Sequence, residues 1–264
     1  MTTIQPTQAA ALAGRTFILD LQRAALFLDL DGTLAPIAAT PGAVGPDPSR
    51  SRLLEQLAGR LGGRVAVISG RTVEAVDHIL EGRIVPVAGV HGLQRRTADG
   101  VMSAAEPHGQ LALARDSLRA FAAADRNLLV EDKGLSVTLH YRNAPGCADA
   151  VRELAQRLEK VTGLVLQEGH MVVELRTPGP TKGDAVAAFM AEPPFAGARP
   201  IYIGDDLTDE DAFAAVAEAG GDGVLVGPER ETAATWRLEN VAQVLAWLGA
   251  ALETPPAGCR AASA

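Results

Sequence analysis

Five short runs rich in branched aliphatic residues recur along the chain, at Ala24 to Leu28, Val65 to Ser69, Ile84 to Ala88, Pro200 to Ile203 and Gly223 to Val226. Such runs read as strands buried on both faces. Helix-patterned segments lie between most of them, at Ser49 to Leu61, Val73 to Leu80, Ala185 to Met190, Asp209 to Ala217 and Val241 to Leu248. Strand-helix alternation predicts an α/β fold, a parallel sheet covered by helices on both faces.

The middle of the chain breaks that rhythm. A helical segment, Leu111 to Ala123, precedes Leu128 to Val130, Gly134 and the alternating Ser136 to His140, which read as a hairpin. A second helix, Ala148 to Val161, leads to Leu164 to Gln167, Gly169 and Met171 to Leu175, a second hairpin. Two hairpins and two helices predict an α+β unit of their own at 103–177, inserted into a core formed by 1–102 and 178–264. Pro178, Gly179 and Pro180 supply a hinge on the return path, and Thr254 to Ala264 reads as a loose tail.

Composition narrows the function. A net charge of -8 with 4% aromatic residues argues against a nucleic-acid surface, which needs phosphate neutralisation and stacking. It also argues against a polybasic membrane anchor. Two distant cysteines, Cys147 and Cys259, give neither a disulfide framework nor a zinc spacing. With no signal-peptide pattern at Met1 to Gln8 and no apolar run long enough to span a bilayer, the expectation is a soluble cytoplasmic protein.

The chemistry concentrates in acidic strings that follow apolar runs. Leu26-Phe27-Leu28-Asp29-Leu30-Asp31-Gly32-Thr33-Leu34 ends in carboxylates spaced i, i+2, on one side if the strand continues. Gly204-Asp205-Asp206-Leu207-Thr208-Asp209-Glu210-Asp211 repeats the pattern. Parallel sheets bind ligands beyond the carboxyl ends of their strands, so the two strings are expected to converge. Converging carboxylates repel unless a cation neutralises them, and oxygen-only ligands favour Mg²⁺. Ser69, Gly70 and Arg71 close another strand, and Thr181-Lys182-Gly183-Asp184 opens a helix, together a phosphate site. Each piece alone has a plain alternative: a solvated turn, acidic residues on a helix dipole, a loop connection or a surface lysine. An EF-hand is excluded, because Leu34 and Thr40 occupy its glycine and glutamate positions counted from Asp29.

In that order, Asp29 to Leu34, Ile68-Ser-Gly-Arg71, Lys182-Gly183 and Gly204 to Asp209 resemble the four motifs of the haloacid dehalogenase superfamily. Longer strings, Val87-Ala-Gly-Val-His-Gly-Leu93, Val130-Glu-Asp-Lys-Gly134, Leu139-His-Tyr-Arg142, Val172-Val-Glu-Leu-Arg176 and Trp236-Arg-Leu238, resemble the trehalose-6-phosphate phosphatase family over roughly residues 24 to 250. The resemblance implies a Rossmann-like core with a mobile cap and no covalent cofactor. It implies Asp29 as nucleophile and Mg²⁺ ligand, Asp31 as general acid/base and ligand through its carbonyl, and Asp205 as third ligand. Asp206 and Asp209 are expected behind these ligands. Thr33, Ser69 and Lys182, with Gly32, Gly70 and Arg71, are the candidate phosphate holders. Glu131, Lys133 and Glu174 are the candidate sugar contacts, against the alternative of a charged, half-exposed sheet face. His91, His140 and Arg142 stay outside the set, as residues that could equally be structural. His170 and Thr177 depart from the family, which commonly has lysine and proline there.

The expected partner is a small sugar phosphate, with a functional link to trehalose-6-phosphate synthase. Two alternatives stay open: a related phosphatase acting on sucrose 6-phosphate or another sugar phosphate, and a noncatalytic sugar-phosphate-binding module.

Overall fold

The computed structural model describes residues 4–7, 17 and 19–253. The expected loose tail, Thr254 to Ala264, and Cys259 lie outside the described residues. Thirteen strands are seen among them: β1 (Gln5–Pro6), β2 (Ala24–Leu28), β3 (Val65–Ile68), β4 (Val87–Gly89), β5 (Gln94–Arg96), β6 (Met102–Ala104), β7 (Leu129–Asp132), β8 (Ser136–His140), β9 (Val165–Gly169), β10 (Val172–Arg176), β11 (Arg199–Gly204), β12 (Asp222–Val226) and β13 (Trp236–Leu238). The described α-helices are α1 (Pro48–Arg60), α2 (Val73–Leu80), α3 (Leu111–Ala122), α4 (Ala148–Thr162), α5 (Lys182–Met190), α6 (Glu210–Glu218) and α7 (Val241–Glu253). None is long and apolar enough to cross a membrane.

The larger sheet runs β1-β13-β12-β11-β2-β3-β4-β5-β6, with the stretch from β13 to β4 parallel and the outer pairs antiparallel. Period-two alternation sorts its side chains. Leu26, Leu28, Val65, Val67, Ile201 and Ile203 face one apolar cluster with Leu54 and Leu57 of α1, Val76 and Ile79 of α2 and Leu248 of α7. Ala25, Phe27, Ala66, Ile68 and Tyr202 face the other, against Val186 and Phe189 of α5 and Phe213 and Val216 of α6. Both faces are covered, which explains the continuous apolar runs.

The expected strands are present with shifted ends. Ile84 precedes its strand, because Pro86 cannot donate to a ladder and pairing begins at Val87. Short strands β1, β5, β6 and β13 join the edges without having been expected. The larger sheet therefore runs on to Ala104 before the chain leaves it.

A separate four-stranded antiparallel sheet, β7-β8-β10-β9, contains both expected hairpins. Val137, Leu139, Val173 and Leu175 from one face of it pack with Leu118 of α3 and Val151 and Ala155 of α4. Its other face looks toward the larger sheet's strand ends. Arg176 holds the return path, donating to the carbonyls of Pro180 (2.9 Å) and Gly179 (3.1 Å).

Candidate active site

Asp29 follows β2 and Asp205 follows β11, neighbouring parallel strands, so the fold carries both carboxylates to one edge. The Asp29 N–H continues the ladder by donating to the Ile203 carbonyl at 2.9 Å. Past Asp29 the chain bends, and Gly32 takes a left-handed φ of 81°. A Cβ there would meet Asp205 Oδ2 at 2.0 Å, so glycine is needed both for the turn and for the approach.

Lys182, 2% exposed at the start of α5, enters beneath this pair. Thr181 caps that helix in a reciprocal box with Asp184, fixing where Lys182 emerges. The Lys182 Nζ lies 3.1 Å from Asp29 Oδ1 and 2.6 Å from Asp209 Oδ1. Asp209 is fully buried. Its Oδ1 also accepts from the Tyr202 hydroxyl (2.7 Å), and its Oδ2 accepts from the Asp206 N–H (2.9 Å).

Burial pushes the Asp29 carboxyl up to about 7, with Lys182 opposing and Asp209 and Asp31 adding. Burial likewise pushes Asp205 up to about 9, reinforced by Asp29, Asp209 and Asp206. Burial opposes the charge on Lys182, yet Asp209 and Asp29 outweigh it and hold the ammonium above its ordinary range. Asp29, Asp205 and Asp209 each offer an oxygen within 4.8 Å of the others, and among the described residues neither His nor Cys joins them. Because protein donors already engage both Asp209 oxygens, the carboxylates left for a cation are Asp29 and Asp205. Two repelling, largely desolvated carboxylates with hard oxygen donors fit Mg²⁺.

Asp31 is placed differently from Asp29. The Arg71 guanidinium donates to both its oxygens, at 2.6 and 2.8 Å, and reaches the Pro41 carbonyl at 2.9 Å. Ser69 Oγ accepts from the Arg71 N–H at 3.2 Å. Asp29, Asp31, Ser69, Gly70, Arg71, Lys182, Asp205 and Asp206 all line one cavity of about 150 Å³. Gly32, Thr33 and Asp209 lie outside its lining, and the buried Thr33 hydroxyl sits 3.5 Å from Asp205 Oδ1.

The small sheet forms the roof. Glu131, Lys133 and Glu174 all line the cavity, as expected of one strand face. Lys133 Nζ lies 2.9 Å from Glu174 Oε2 and His140 Nε2 lies 2.9 Å from Glu131 Oε2. Burial would raise the Glu174 carboxyl, but Lys133 and His91 outweigh it and hold it well below the usual range.

The lining residues outside the expected set include the histidines His91, His140 and His170 and the arginine Arg142. Alternation would have found two of them, since Thr138, His140 and Arg142 continue one face of β8 while Val137, Leu139 and Tyr141 fill the core beneath. Arg142 crosses from roof to floor, donating to the Ala38 carbonyl and, at 3.0 Å, to the His170 carbonyl.

The trehalose-phosphatase family model matches residues 27–242. A trehalose-6-phosphate phosphatase of Escherichia coli strain K12 is 42% identical over 228 residues, covering 85% of each chain. A probable trehalose-phosphate phosphatase of Sinorhizobium fredii is 42% identical over 214 residues, covering 79% of this chain and 80% of the relative. The C-terminal domain of the C. albicans trehalose-6-phosphate phosphatase shares the fold, with a TM-score of 0.81 at 22% identity, covering 95% of this chain and 99% of that one. With its site assembled at the strand ends and roofed by the small sheet, this chain belongs to the trehalose-phosphatase family.

Proposed function

We propose that the protein is a Mg²⁺-dependent phosphatase that converts trehalose 6-phosphate to trehalose and phosphate. The observation that carries the reading is the buried Lys182 between Asp29 and Asp209, beside Asp205 and beneath Glu131, Lys133 and Glu174. A binding module needs no such desolvated carboxylate held against a lysine.

Asp29, Asp205 and the Asp31 carbonyl would hold the ion. Mg²⁺, when bound there, supplies positive charge against the charge developing on the phosphoryl group. Asp29 attacks phosphorus, and the bond from phosphorus to the sugar oxygen breaks. Asp31 gives its proton to that oxygen, then takes one from the water that hydrolyses the aspartyl phosphate. Lys182, Ser69 and Arg71 hold the phosphoryl oxygens, Arg71 leaving its fork on Asp31 as the substrate dianion arrives. Asp206 and Asp209 fix the loop and the lysine. Residues 103–177 act as a cap over a core made of 1–102 and 178–264, with Glu131, Lys133 and Glu174 contacting sugar hydroxyls. The reaction is placed in the cytoplasm, its substrate supplied by trehalose-6-phosphate synthase.

Phosphate release is to be measured from trehalose, glucose and sucrose 6-phosphates, with Mg²⁺ or EDTA, for the wild type and Asp29→Asn. Preference for trehalose 6-phosphate, lost with EDTA and in the variant, supports the reading. Preference for another sugar overturns the substrate, and no release from any overturns the enzyme.

A further inference from the structure

His91 stands outside the phosphoryl-transfer machinery, yet it joins the floor of the site to its roof. Its N–H donates to the Ser69 carbonyl at 3.0 Å, and the Val90 N–H donates to the Arg71 carbonyl at 2.8 Å. The segment is thus bolted by its backbone to the loop that carries the candidate phosphate contacts. Val90 and His91 both adopt left-handed φ, 47° and 57°. Two consecutive non-glycine residues in that region are strained, and a β-branched one markedly so. The strained turn aims the imidazole across Gly70, where any Cβ would meet the ring at 2.7 Å.

The ring ends on the cap. His91 Nε2 lies 3.3 Å from Glu174 Oε2, the same oxygen that Lys133 Nζ approaches at 2.9 Å. Glu174 Oε2 therefore faces one donor from the core and one from its own sheet. Oε1 is buried on a cavity-lining side chain and closes no hydrogen bond of ordinary length, although the Ser136 hydroxyl interacts with the carboxylate. A buried carboxylate oxygen with spare acceptor capacity inside a polar cleft takes a donor, and a ligand hydroxyl supplies one.

We infer that His91 is a positioning residue for sugar recognition. It locks Glu174 with Oε1 toward the ligand, and it can do so only when the cap lies on the core. The phosphate loop and the sugar-facing carboxylate are thereby set relative to each other through one imidazole. This rests on the sugar-phosphate reading above.

Asparagine tolerates a left-handed backbone but is too short to reach Glu174, so His91→Asn removes the contact while sparing the turn. Its KM for trehalose 6-phosphate should rise about tenfold, the worth of a hydrogen bond to a charged group, with kcat little changed. Turnover of p-nitrophenyl phosphate, which offers no hydroxyl to the cap, should stay within about twofold. His91→Gln, whose amide reaches as far as Nε2, should recover part of the loss. Equal losses on both esters, no loss on either, or no recovery with glutamine would overturn the inference. A second arm needs neither turnover nor an altered His91: the ¹⁵N resonances of its ring should shift in Glu174→Gln, and an unchanged spectrum would overturn the contact. Should the wild type act on p-nitrophenyl phosphate but not on trehalose 6-phosphate, the substrate reading fails, and the ring resonances still decide the role of His91.

Discussion

Lys182 is the residue on which the site's electrostatics turn, because its one ammonium faces two buried carboxylates, with Asp205 close by. Asp29 and Asp205 hold protons more tightly folded than unfolded, from an ordinary value of 3.8 up to about 7 and about 9. Between those values the folded state binds more protons than the unfolded one, so metal-free stability falls as pH rises through that window. A divalent cation binds the ionised pair and reverses the loss. The gain in Tm from saturating Mg²⁺ should therefore be larger at about pH 8 than at about pH 5. Equal gains at both would remove Asp29 and Asp205 as its ligands. Asp209→Ala leaves the buried Lys182 with Asp29 alone and Tyr202 without its acceptor, and should cost about 3–5 kcal/mol in urea unfolding. A loss under about 1 kcal/mol would mean the lysine is stabilised elsewhere. At this scale the sequence was informative where residue type limits chemistry. Asp29, Asp31, Lys182 and Asp205 stood out because their segments fall in one order along the chain, each segment alone having a plain alternative. His91 did not, since nothing in Gly89-Val-His-Gly92 announces a left-handed histidine or a partner 83 positions away.

Among the elements, long buried strands and amphipathic helices were legible, and three-residue edge strands were not. β5 consists of Gln94, Arg95 and Arg96, with no apolar alternation; its arginines are held by Glu192 and Asp77 in bidentate pairs. Such pairings join distant positions and leave no local trace. The acidic loop after β11 is likewise secured from afar. Arg230 donates to the Asp206 carbonyl at 2.9 Å and pairs with Glu210, which also accepts from Thr232 and from the Ala233 N–H. This half-exposed pair contributes about 1 kcal/mol or less to stability, but it borders Asp205. Arg230→Ala should therefore raise the Mg²⁺ concentration for half-maximal activity several-fold while barely moving the urea midpoint. An unchanged Mg²⁺ requirement would show that the loop holds itself.

Across the whole molecule, the roof is down. Arg142 bridges to Ala38, His91 meets Glu174, and a side chain at Gly169 would touch Asp206 at 2.8 Å. The cavity of about 150 Å³ is well under the ~300 Å³ typical of small-molecule sites. We propose that the small sheet lifts about the Pro178-Gly179-Pro180 return to widen this cleft for a disaccharide phosphate. Small-angle scattering should give a larger radius of gyration for the ligand-free protein than for protein saturated with Mg²⁺, trehalose and vanadate. Identical values would mean that entry needs only loop movement. The strand order carries a different consequence, for synthesis. Central strand β2 pairs with β3 on one side and with β11 on the other, and β11 ends only at Gly204. A nascent chain emerging from the ribosome therefore exposes an apolar, unpaired strand edge until most of the polypeptide has been made. For that interval the open edge can pair with other chains, whereas the small sheet, complete by Arg176, has all its strands before β11 is made.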